Sequence, residues 1–348
     1  MNDIMKKRGT LMLAFPLCLL LAACAEKSAE SDTAEYSPQP SSENASNEIS
    51  HTDSSVEEES TEEDIPESEA PNPYMKPDTL EDNDDIENAR KYIWHEYLNQ
   101  VKNDKTRIEE VENRSMTFDD ATMKYGFFVK GEPDESGYPL FIALHGGGQS
   151  DTPDLNDSQW VHMTTYYQNS VEHGIYVNPR GVRDTWDCHF NPESYPLYDR
   201  LIENMIAFYD VDPNRVYLTG FSAGGDGVYA IVSKMPDRFA SANMSAGHPN
   251  GLPLWNLYNM PLQLQVGEND TAYERNTVTA QYGKLLDEYQ AELGGGYIHN
   301  TYVHQGQGHN FRDNSVENQT VMADSAAWLD SGDSSVTETD TNAIRLIE

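Results

Sequence analysis

Near the middle of the chain the sequence reads Gly220-Phe221-Ser222-Ala223-Gly224, between an apolar run at 216–218 and a helix-like stretch at 226–234. A serine on a sharp turn from a strand into a helix needs small residues two positions to either side. The reason is that the strained backbone and the incoming helix leave little room for side chains. The pattern therefore predicts that Ser222 stands exposed at the end of a strand, as a candidate nucleophile.

Three other segments each follow a strand-like run and offer polar groups or bare backbone. Residues 139–144 lead into a glycine cluster at 146–148, whose N–H groups could approach a substrate oxygen because no Cβ interferes. Residues 262–266 lead into a segment with the carboxylate of Asp270, and residues 297–303 lead into a segment with the imidazole of His309. Because the carboxyl ends of parallel strands meet at one edge of a sheet, we expect these groups to lie near Ser222.

Strand-like runs alternate with helical stretches from residue 139 onward, after two opening runs at 116–118 and 123–129 that are typical of antiparallel strands. Such alternation predicts an α/β protein with a mostly parallel sheet and helices on both faces. The order of glycine loop, serine, aspartate and histidine differs from the orders of the chymotrypsin and subtilisin families. The region from about 113 to 329 resembles the α/β-hydrolase superfamily, which implies the α/β-hydrolase fold with a sheet of about eight strands.

Within that superfamily, residues 212–222 resemble those of the extracellular esterase group that includes polyhydroxybutyrate depolymerases, feruloyl and acetylxylan esterases and related predicted peptidases. Such esterases often carry a cysteine in the oxyanion loop, where this chain has only glycines. The resemblance implies carboxylic esters as substrates, either small molecules or groups attached to a polymer, and a reaction that needs neither a metal nor an organic cofactor.

In this interpretation His309 takes the proton of Ser222 as the hydroxyl attacks an acyl carbonyl, and later delivers it to the leaving alcohol. Asp270 orients His309 and stabilises the imidazolium that forms. The candidate donors to the oxyanion are the backbone N–H groups of Ala223 and of Gly147 or Gly148.

Each of these residues also has a plain structural alternative: a turn serine, turn glycines, a helix N-cap at Asp270 and a structural histidine. The coincidence of all four in order favours the enzyme. Two functional alternatives remain open, a serine peptidase with the same triad and a non-catalytic surface-binding lipoprotein that keeps the fold.

Residues 180–189 follow the strand-like run at 175–177, so they are expected on the same rim as the triad. An aromatic or acyl pocket could be shaped there, with an arginine to bind a carboxylate. The alternative is that these side chains only fix loops by packing and ion pairs. The candidate pocket residues are His145, Arg183, Trp186, His189 and His248.

The N-terminus is typical of an export signal, with a basic start at residues 6–8 and an apolar stretch at 11–21. Residues 21–24, Leu-Ala-Ala-Cys, resemble the lipobox of bacterial lipoproteins, which implies cleavage after residue 23 and acylation of Cys24. The chain is then expected at the cell membrane, lipid-anchored on its extracytoplasmic face. An ordinary secretory signal is the alternative. Cys188 would be the single remaining thiol, most simply a buried apolar residue.

The segment after the signal is strongly acidic. Residues 25–89 hold 21 acidic side chains and two lysines, which is more than half of the chain's formal net charge of −36. Such a segment cannot bury enough surface to fold, so it predicts a solvated tether, and the overall charge argues against nucleic acid as a partner. The expected organisation is a signal at 1–23, an acidic disordered tether at 24–85, a helical segment at 86–112, a catalytic domain at 113–330 and a flexible tail at 331–348.

Overall fold

A computed structural model describes residues 72–148, 153–167 and 171–310. The predicted signal at 1–23, the lipidation site Cys24, the tether as far as residue 71 and the tail at 331–348 lie outside the described residues. Those assignments stay predictions. No helix within the described ranges combines the length and the apolar character that a membrane crossing requires.

The eight strands of the described chain form one sheet in the order β1-β2-β4-β3-β5-β6-β7-β8. The strands are β1 Ser115–Phe118, β2 Ala121–Lys130, β3 Tyr138–Leu144, β4 Gly174–Pro179, β5 Val211–Phe221, β6 Ser241–Ser245, β7 Leu262–Gly267 and β8 His299–His304. Strands β1 and β2 pair antiparallel, and β2 runs antiparallel to β4. The pairings among β3 to β8 are parallel.

Within the described ranges six α-helices accompany the sheet, and two of them precede it. They are α1 Asn83–Asn103, α2 Lys105–Asn113, α3 Pro153–Tyr166, α4 Ser194–Tyr209, α5 Ala223–Lys234 and α6 Arg275–Leu293. The helical segment predicted at 86–112 is thus two helices, because the backbone at Asp104 is extended and its side chain accepts hydrogen bonds from the N–H groups of Thr106 and Arg107. This side chain caps α2 and separates it from α1.

Alternate residues of β3 serve the two faces of the sheet. Leu140, Ile142 and Leu144 lie in the core that includes α4, α5 and α6, whereas Phe141 and Ala143 belong to a second buried cluster that includes the end of α3. A strand covered on both faces in this way is buried along its whole length, which explains the unbroken apolar sequence of β3. The mostly parallel sheet with helices on both faces confirms the predicted α/β-hydrolase fold.

The strand order reverses around β3, which lies between β4 and β5. Loops that leave neighbouring strands on the two sides of such a reversal diverge and open a crevice at the carboxyl ends. Leu144, the last residue of β3, pairs with Gly220 near the end of β5. The glycine loop at 146–148 and Ser222 therefore leave the sheet side by side.

Candidate active site

Ser222 stands on a strained turn between β5 and α5. Its backbone has φ 58° and ψ −120°, a conformation that residues with a Cβ rarely adopt, and it costs about 1–3 kcal/mol. The Ser222 N–H donates to the carbonyl oxygen of Ser245 at 2.9 Å, and the Ser222 carbonyl accepts from the N–H of Asp226 at 3.0 Å. These bonds hold the turn in place through the backbone and do not involve the hydroxyl.

The two glycines that flank the serine are required by close backbone contacts. A Cβ at Gly220 would overlap the carbonyl oxygen of Gly224, and a Cβ at Gly224 would overlap the carbonyl oxygen of Leu144. The backbone of β5 therefore contacts that of α5, and the backbone of α5 contacts the end of β3, with no side chain between them. The steric reason given for the small residues in the sequence motif holds in the structure.

The three predicted triad side chains lie in one hydrogen-bonded chain. Ser222 Oγ is 2.9 Å from His309 Nε2, and His309 Nδ1 is 2.8 Å from Asp270 Oδ2. With Nδ1 donating to the carboxylate, Nε2 is the acceptor that faces the serine hydroxyl. The side chain of Asp270 is buried while that of His309 is 39% exposed, so the site opens to solvent at the histidine.

The aspartate and histidine loops are bonded to each other. The N–H of Glu268 donates to the carbonyl oxygen of His304, the N–H of Asn269 to that of Gln307, and the N–H of Gly306 to the Glu268 carboxylate at 2.8 Å. A Cβ at Gly267 would overlap the backbone of residues 307–308. These contacts fix the distance between Asp270 and His309 through the backbone. No motif in the sequence pointed to this role of Glu268.

The glycine loop lies against the nucleophile. A Cβ at Gly146 would stand 3.3 Å from the Cβ of Ser222, and Gly147 and Gly148 have φ 105° and φ 81°, which favour glycine. Gly147 is partly exposed, whereas Gly148 is buried and its N–H donates to Asn156 Oδ1 at 2.8 Å. This corrects the prediction for Gly148, because its N–H is already bound. The N–H groups of Gly147 and Ala223 remain the candidate oxyanion donors.

Asn156 connects the glycine loop to a partly buried ion pair. Its Nδ2 donates to Asp184 Oδ1 at 2.8 Å, and the same oxygen accepts from Arg180 Nη2 at 2.7 Å. Burial opposes the ionisation of Asp184, but the bonds from Asn156 and Arg180 outweigh it and lower the pKa of the carboxyl. The ionised Asp184 carboxylate therefore fixes the Asn156 side chain, and Asn156 in turn fixes Gly148 through its N–H group. No motif in the sequence pointed to Asn156, which lies inside α3.

His145 and His189 were predicted as pocket residues, and the structure corrects both. Neither has an exposed surface, and their rings meet edge to face at 4.5 Å. The Gly181 N–H donates to His145 Nε2, so Nδ1 carries the proton and donates to the carbonyl oxygen of Gly146. Burial lowers the pKa of His145 to about 4, and burial together with His145 lowers the pKa of His189. Two neutral, buried rings thus support the glycine loop through hydrogen bonds to the carbonyl oxygens of Gly146 and His145.

Arg183 is engaged by carboxylates of the protein itself. Its guanidinium donates to Asp120 at 2.5 Å and to Glu193 at 2.8 Å, and these bonds raise its pKa. A substrate carboxylate would have to displace one of them, so the predicted binding role is not supported. His248 is half-buried, and its backbone N–H donates to Asp226 Oδ1 at 2.7 Å. The Asn250 N–H donates to His248 Nδ1 at 3.0 Å, so the ring is held within its own loop.

Trp186 keeps the geometry that a pocket residue needs. Its side chain is 58% exposed and packs edge to face on Phe190. Its backbone lies against Gly148, since a Cβ there would stand 3.1 Å from the Trp186 carbonyl oxygen. The Trp186 backbone therefore borders the glycine loop, and contact of its indole with substrate stays a prediction. Cys188, in the same loop, is buried, and burial raises the pKa of its thiol to about 12, which makes it unreactive.

A separate cavity of about 600 Å³ lies on the helical face of the molecule. It is lined mainly by apolar residues of α1 and α4, among them Ile86, Ile93, Trp94, Ile202 and Ile206. None of its lining residues belongs to the triad or the glycine loop. This cavity is therefore not the acyl pocket of the candidate site.

No protein-family model matches the sequence. The chain is 30% identical over 114 residues to the bifunctional acetylxylan esterase/xylanase XynS20E of Neocallimastix patriciarum, which is 32% of this chain and 16% of that protein. It is 30% identical over 121 residues to poly(3-hydroxyalkanoate) depolymerase C of Paucimonas lemoignei, covering 32% of this chain and 28% of that protein. The chain thus spans less than a third of the length of these two relatives.

Among solved structures, a poly(3-hydroxybutyrate) depolymerase from Bordetella parapertussis is 16% identical, with 70% of this chain and 100% of that chain covered and a TM-score of 0.46. The sequence relatives are of the kind that the motif resemblance implied. By its own sheet and by these relatives, the chain is a protein of the α/β-hydrolase fold related to an acetylxylan esterase and to a poly(3-hydroxyalkanoate) depolymerase.

Proposed function

We propose that this protein is a serine hydrolase that cleaves carboxylic esters through an acyl-enzyme intermediate. The observation that carries the proposal is the hydrogen-bonded chain from Ser222 through His309 to Asp270 at the carboxyl ends of the strands. An isolated serine or histidine has many structural uses. A serine on a strained turn, bonded to an imidazole that is itself bonded to a buried carboxylate, has the arrangement that activates a nucleophile.

The reaction follows from this arrangement. Ser222 Oγ attacks the acyl carbon while its proton passes to His309 Nε2, and the carbonyl oxygen becomes an oxyanion. Collapse of the tetrahedral intermediate breaks the bond to the alcohol oxygen, which takes the proton from His309. A water molecule then attacks the acyl carbon while His309 accepts its proton. The bond between the acyl carbon and Ser222 Oγ breaks, His309 returns a proton to the serine, and the acid leaves.

Asp270 serves both halves of the reaction. Its carboxylate holds the Nδ1 proton of His309, so that Nε2 faces Ser222, and it stabilises the imidazolium in each intermediate. In this proposal the N–H groups of Ala223 and Gly147 hold the oxyanion. Removal of one such donor typically costs about 3–4 kcal/mol of transition-state stabilisation.

The substrate class we propose is an ester of a small molecule or of a group attached to a polymer. Two observations support it: the related esterase and depolymerase, and a site whose histidine is exposed to solvent. An open site can receive a chain end or a side group of a large molecule. A panel of acetyl, feruloyl and longer acyl esters beside short peptides would separate this class from a peptidase, which would cleave the peptides at comparable kcat/KM.

The test of the nucleophile is Ser222→Ala. This variant should keep its fold and lose turnover of a short activated ester, because no other hydroxyl is bonded to His309 among the described residues. A fluorophosphonate probe should label the wild type at Ser222 and fail to label the variant. Ser136→Ala, at an exposed serine elsewhere in the chain, is the matched control and should label normally. Labelling of Ser222→Ala at the wild-type rate would contradict the assignment.

We also propose that the protein is anchored by acylated Cys24 on the extracytoplasmic face of the membrane, with the acidic segment as a tether. The support is the basic and apolar signal-like start, the Leu-Ala-Ala-Cys sequence at 21–24 and the charge of residues 25–89. Self-repulsion extends such a segment and would hold the hydrolase domain away from the lipid. Fractionation of cells that express the full chain tests the anchor, since recovery in the soluble fraction would contradict it.

A further inference from the structure

Among the residues that the structure describes, one oxygen of the triad carboxylate has no hydrogen-bond donor. Oδ2 of Asp270 accepts from His309, whereas Oδ1 has no hydrogen-bond partner among the described residues. The side chain is only 1% exposed, and buried carboxylate oxygens usually find a donor. What faces Oδ1 is the guanidinium of Arg275, whose Nη1 lies 3.9 Å away on a side chain that is 11% exposed. The pairing is therefore one of charge and not of a close hydrogen bond.

Arg275 is held in this place by the turn that follows Asp270. Its guanidinium carbon lies 4.8 Å from the ring centroid of Tyr273, and Nη1 also donates to the Ala272 carbonyl oxygen at 3.4 Å. The Tyr273 ring is 77% exposed, so it covers the guanidinium from the solvent side. A cation against an aromatic face keeps a defined position at a small cost in desolvation.

The same turn carries unusual backbone strain. Tyr273 has φ 55° and ψ 21°, and Glu274 has φ 58° and ψ 28°, so two consecutive residues with a Cβ occupy the left-handed region. Such conformations persist only where the surroundings fix them, and they concentrate at functional sites. Here the consequence of the two left-handed residues is that α6 begins with Arg275 directed at Asp270.

We propose that Arg275 is a positioning residue for the triad, a proposal that rests on the proposed hydrolase function. Its charge fixes the Asp270 carboxylate with Oδ2 toward His309, and it offsets part of the negative charge that acts on the imidazole. Because Arg275 lies beneath Tyr273, it does not reach the substrate. Its effect is therefore on the chemical step.

Other charged groups surround this pair. Asp226, one helical turn beyond Ser222, also interacts with Arg275; burial raises the pKa of Asp226, and the Arg275 charge acts against that rise. Glu268 lies on the loop before Asp270, and Glu274 precedes Arg275 on the turn. Loss of Arg275 would thus leave the imidazole beside an Asp270 carboxylate whose charge is no longer offset. A more negative surrounding favours the protonated imidazole, which cannot accept the proton of Ser222.

The test compares Arg275→Gln, Arg275→Lys and Arg215→Gln on a soluble activated ester from pH 5 to 9. Arg275→Gln should lower kcat by about ten- to a hundredfold while KM stays within about twofold, because misplacement of a catalytic group acts on the chemical step. Its acid limb should move to higher pH by about half a unit to one unit, owing to the lost positive charge. Arg275→Lys should return the limb toward the wild-type position.

Arg215 is the matched control, since it is paired with Asp134 near the amino-terminal end of β5, about seven residues and roughly 20 Å along the strand from Ser222. Arg215→Gln removes the same charge and should leave the pH profile and kcat unchanged. If Arg275→Gln does not fold, Tyr273→Leu removes only the exposed ring and should shift the limb in the same direction by less.

The outcomes separate the two proposals. An inactive wild type refutes the hydrolase function itself. An active wild type with a normal kcat and an unmoved acid limb in Arg275→Gln overturns the role of Arg275. Equal losses in Arg275→Gln and Arg275→Lys without any movement of the pH profile overturn it as well, since a merely structural arginine would behave in that way.

Discussion

Replacement of Asn156 by alanine would test how the glycine loop is held. This buried side chain makes two bonds at 2.8 Å, one from the Gly148 N–H and one to the Asp184 carboxylate. Asn156→Ala removes both and leaves the buried Gly148 N–H without its partner. A neutral hydrogen bond contributes about 1 kcal/mol and one to a charged group about 1.5–3 kcal/mol. We therefore expect a loss of about 2.5–4 kcal/mol in the free energy of unfolding.

Asn156→Ala should also lower kcat/KM in the fraction of the protein that stays folded. Without the bond to Asn156, Gly148 can move, and Gly147 moves with it, so one oxyanion donor leaves its position. The limit is the loss of that donor, about 10²–10³ in kcat. We expect about a hundredfold in kcat/KM, mostly in kcat, because the oxyanion exists only after the attack.

The control is Asn204→Ala. Asn204 is equally buried, accepts from Arg107 Nε and donates to Glu110 Oε2, but it lies on α4 and contacts no residue of the triad or the glycine loop in its hydrogen bonds. Thermal unfolding and steady-state kinetics on both variants decide the question. Both should unfold at lower temperature, and only Asn156→Ala should lose kcat. Equal retention of kcat/KM in the two folded variants would refute the reasoning.

The remaining predictions concern the chemistry and the anchor. Wild-type kcat/KM should rise between pH 5 and 8, because only a neutral His309 accepts the serine proton. Asp270→Asn should lower kcat by about 10³–10⁴ at unchanged fold, and a flat wild-type profile with chemistry limiting would argue against these roles. Cys24→Ser should move the full chain from the membrane to the soluble fraction, and a protein that begins at Thr79 should keep its kcat/KM within about twofold. Membrane retention of Cys24→Ser would contradict the lipid anchor.

The residues around Ser222 could be predicted from sequence because their requirements are local. A strand end, two glycines at fixed offsets and a following helix are all contained in one short stretch, and the order of the other segments along the chain added the rest. The strand itself was underestimated: the apolar run at 216–218 is the centre of β5, Val211–Phe221. Pro213 favours a turn, but a register shift opposite Tyr138 lets the strand continue past it.

The partners of the site could not be predicted in the same way. Asn156 and Arg275 act across the fold, on Gly148 and on Asp270, and nothing in their sequence neighbourhood distinguishes them from surface residues of a helix. The buried pair of His145 and His189 shows the reverse failure. The sequence around a histidine beside a glycine cluster does not show whether the ring faces the substrate or the core. The contacts with Gly181 and Tyr198 show that these two rings face the core.

The contact between α5 and β3 has a consequence for engineering. Only a glycine at position 224 allows α5 to lie against the carbonyl oxygen of Leu144. Main-chain contacts therefore set the distance between Ser222 and the loop that follows β3. Side chains at the rim of the site do not affect this distance. A library that varies Trp186 and the exposed Asn250 should therefore change which esters are accepted while the reacting groups keep their spacing. Changes at 180–184 would instead disturb the supports of Asn156 and His145, and with them the machinery itself.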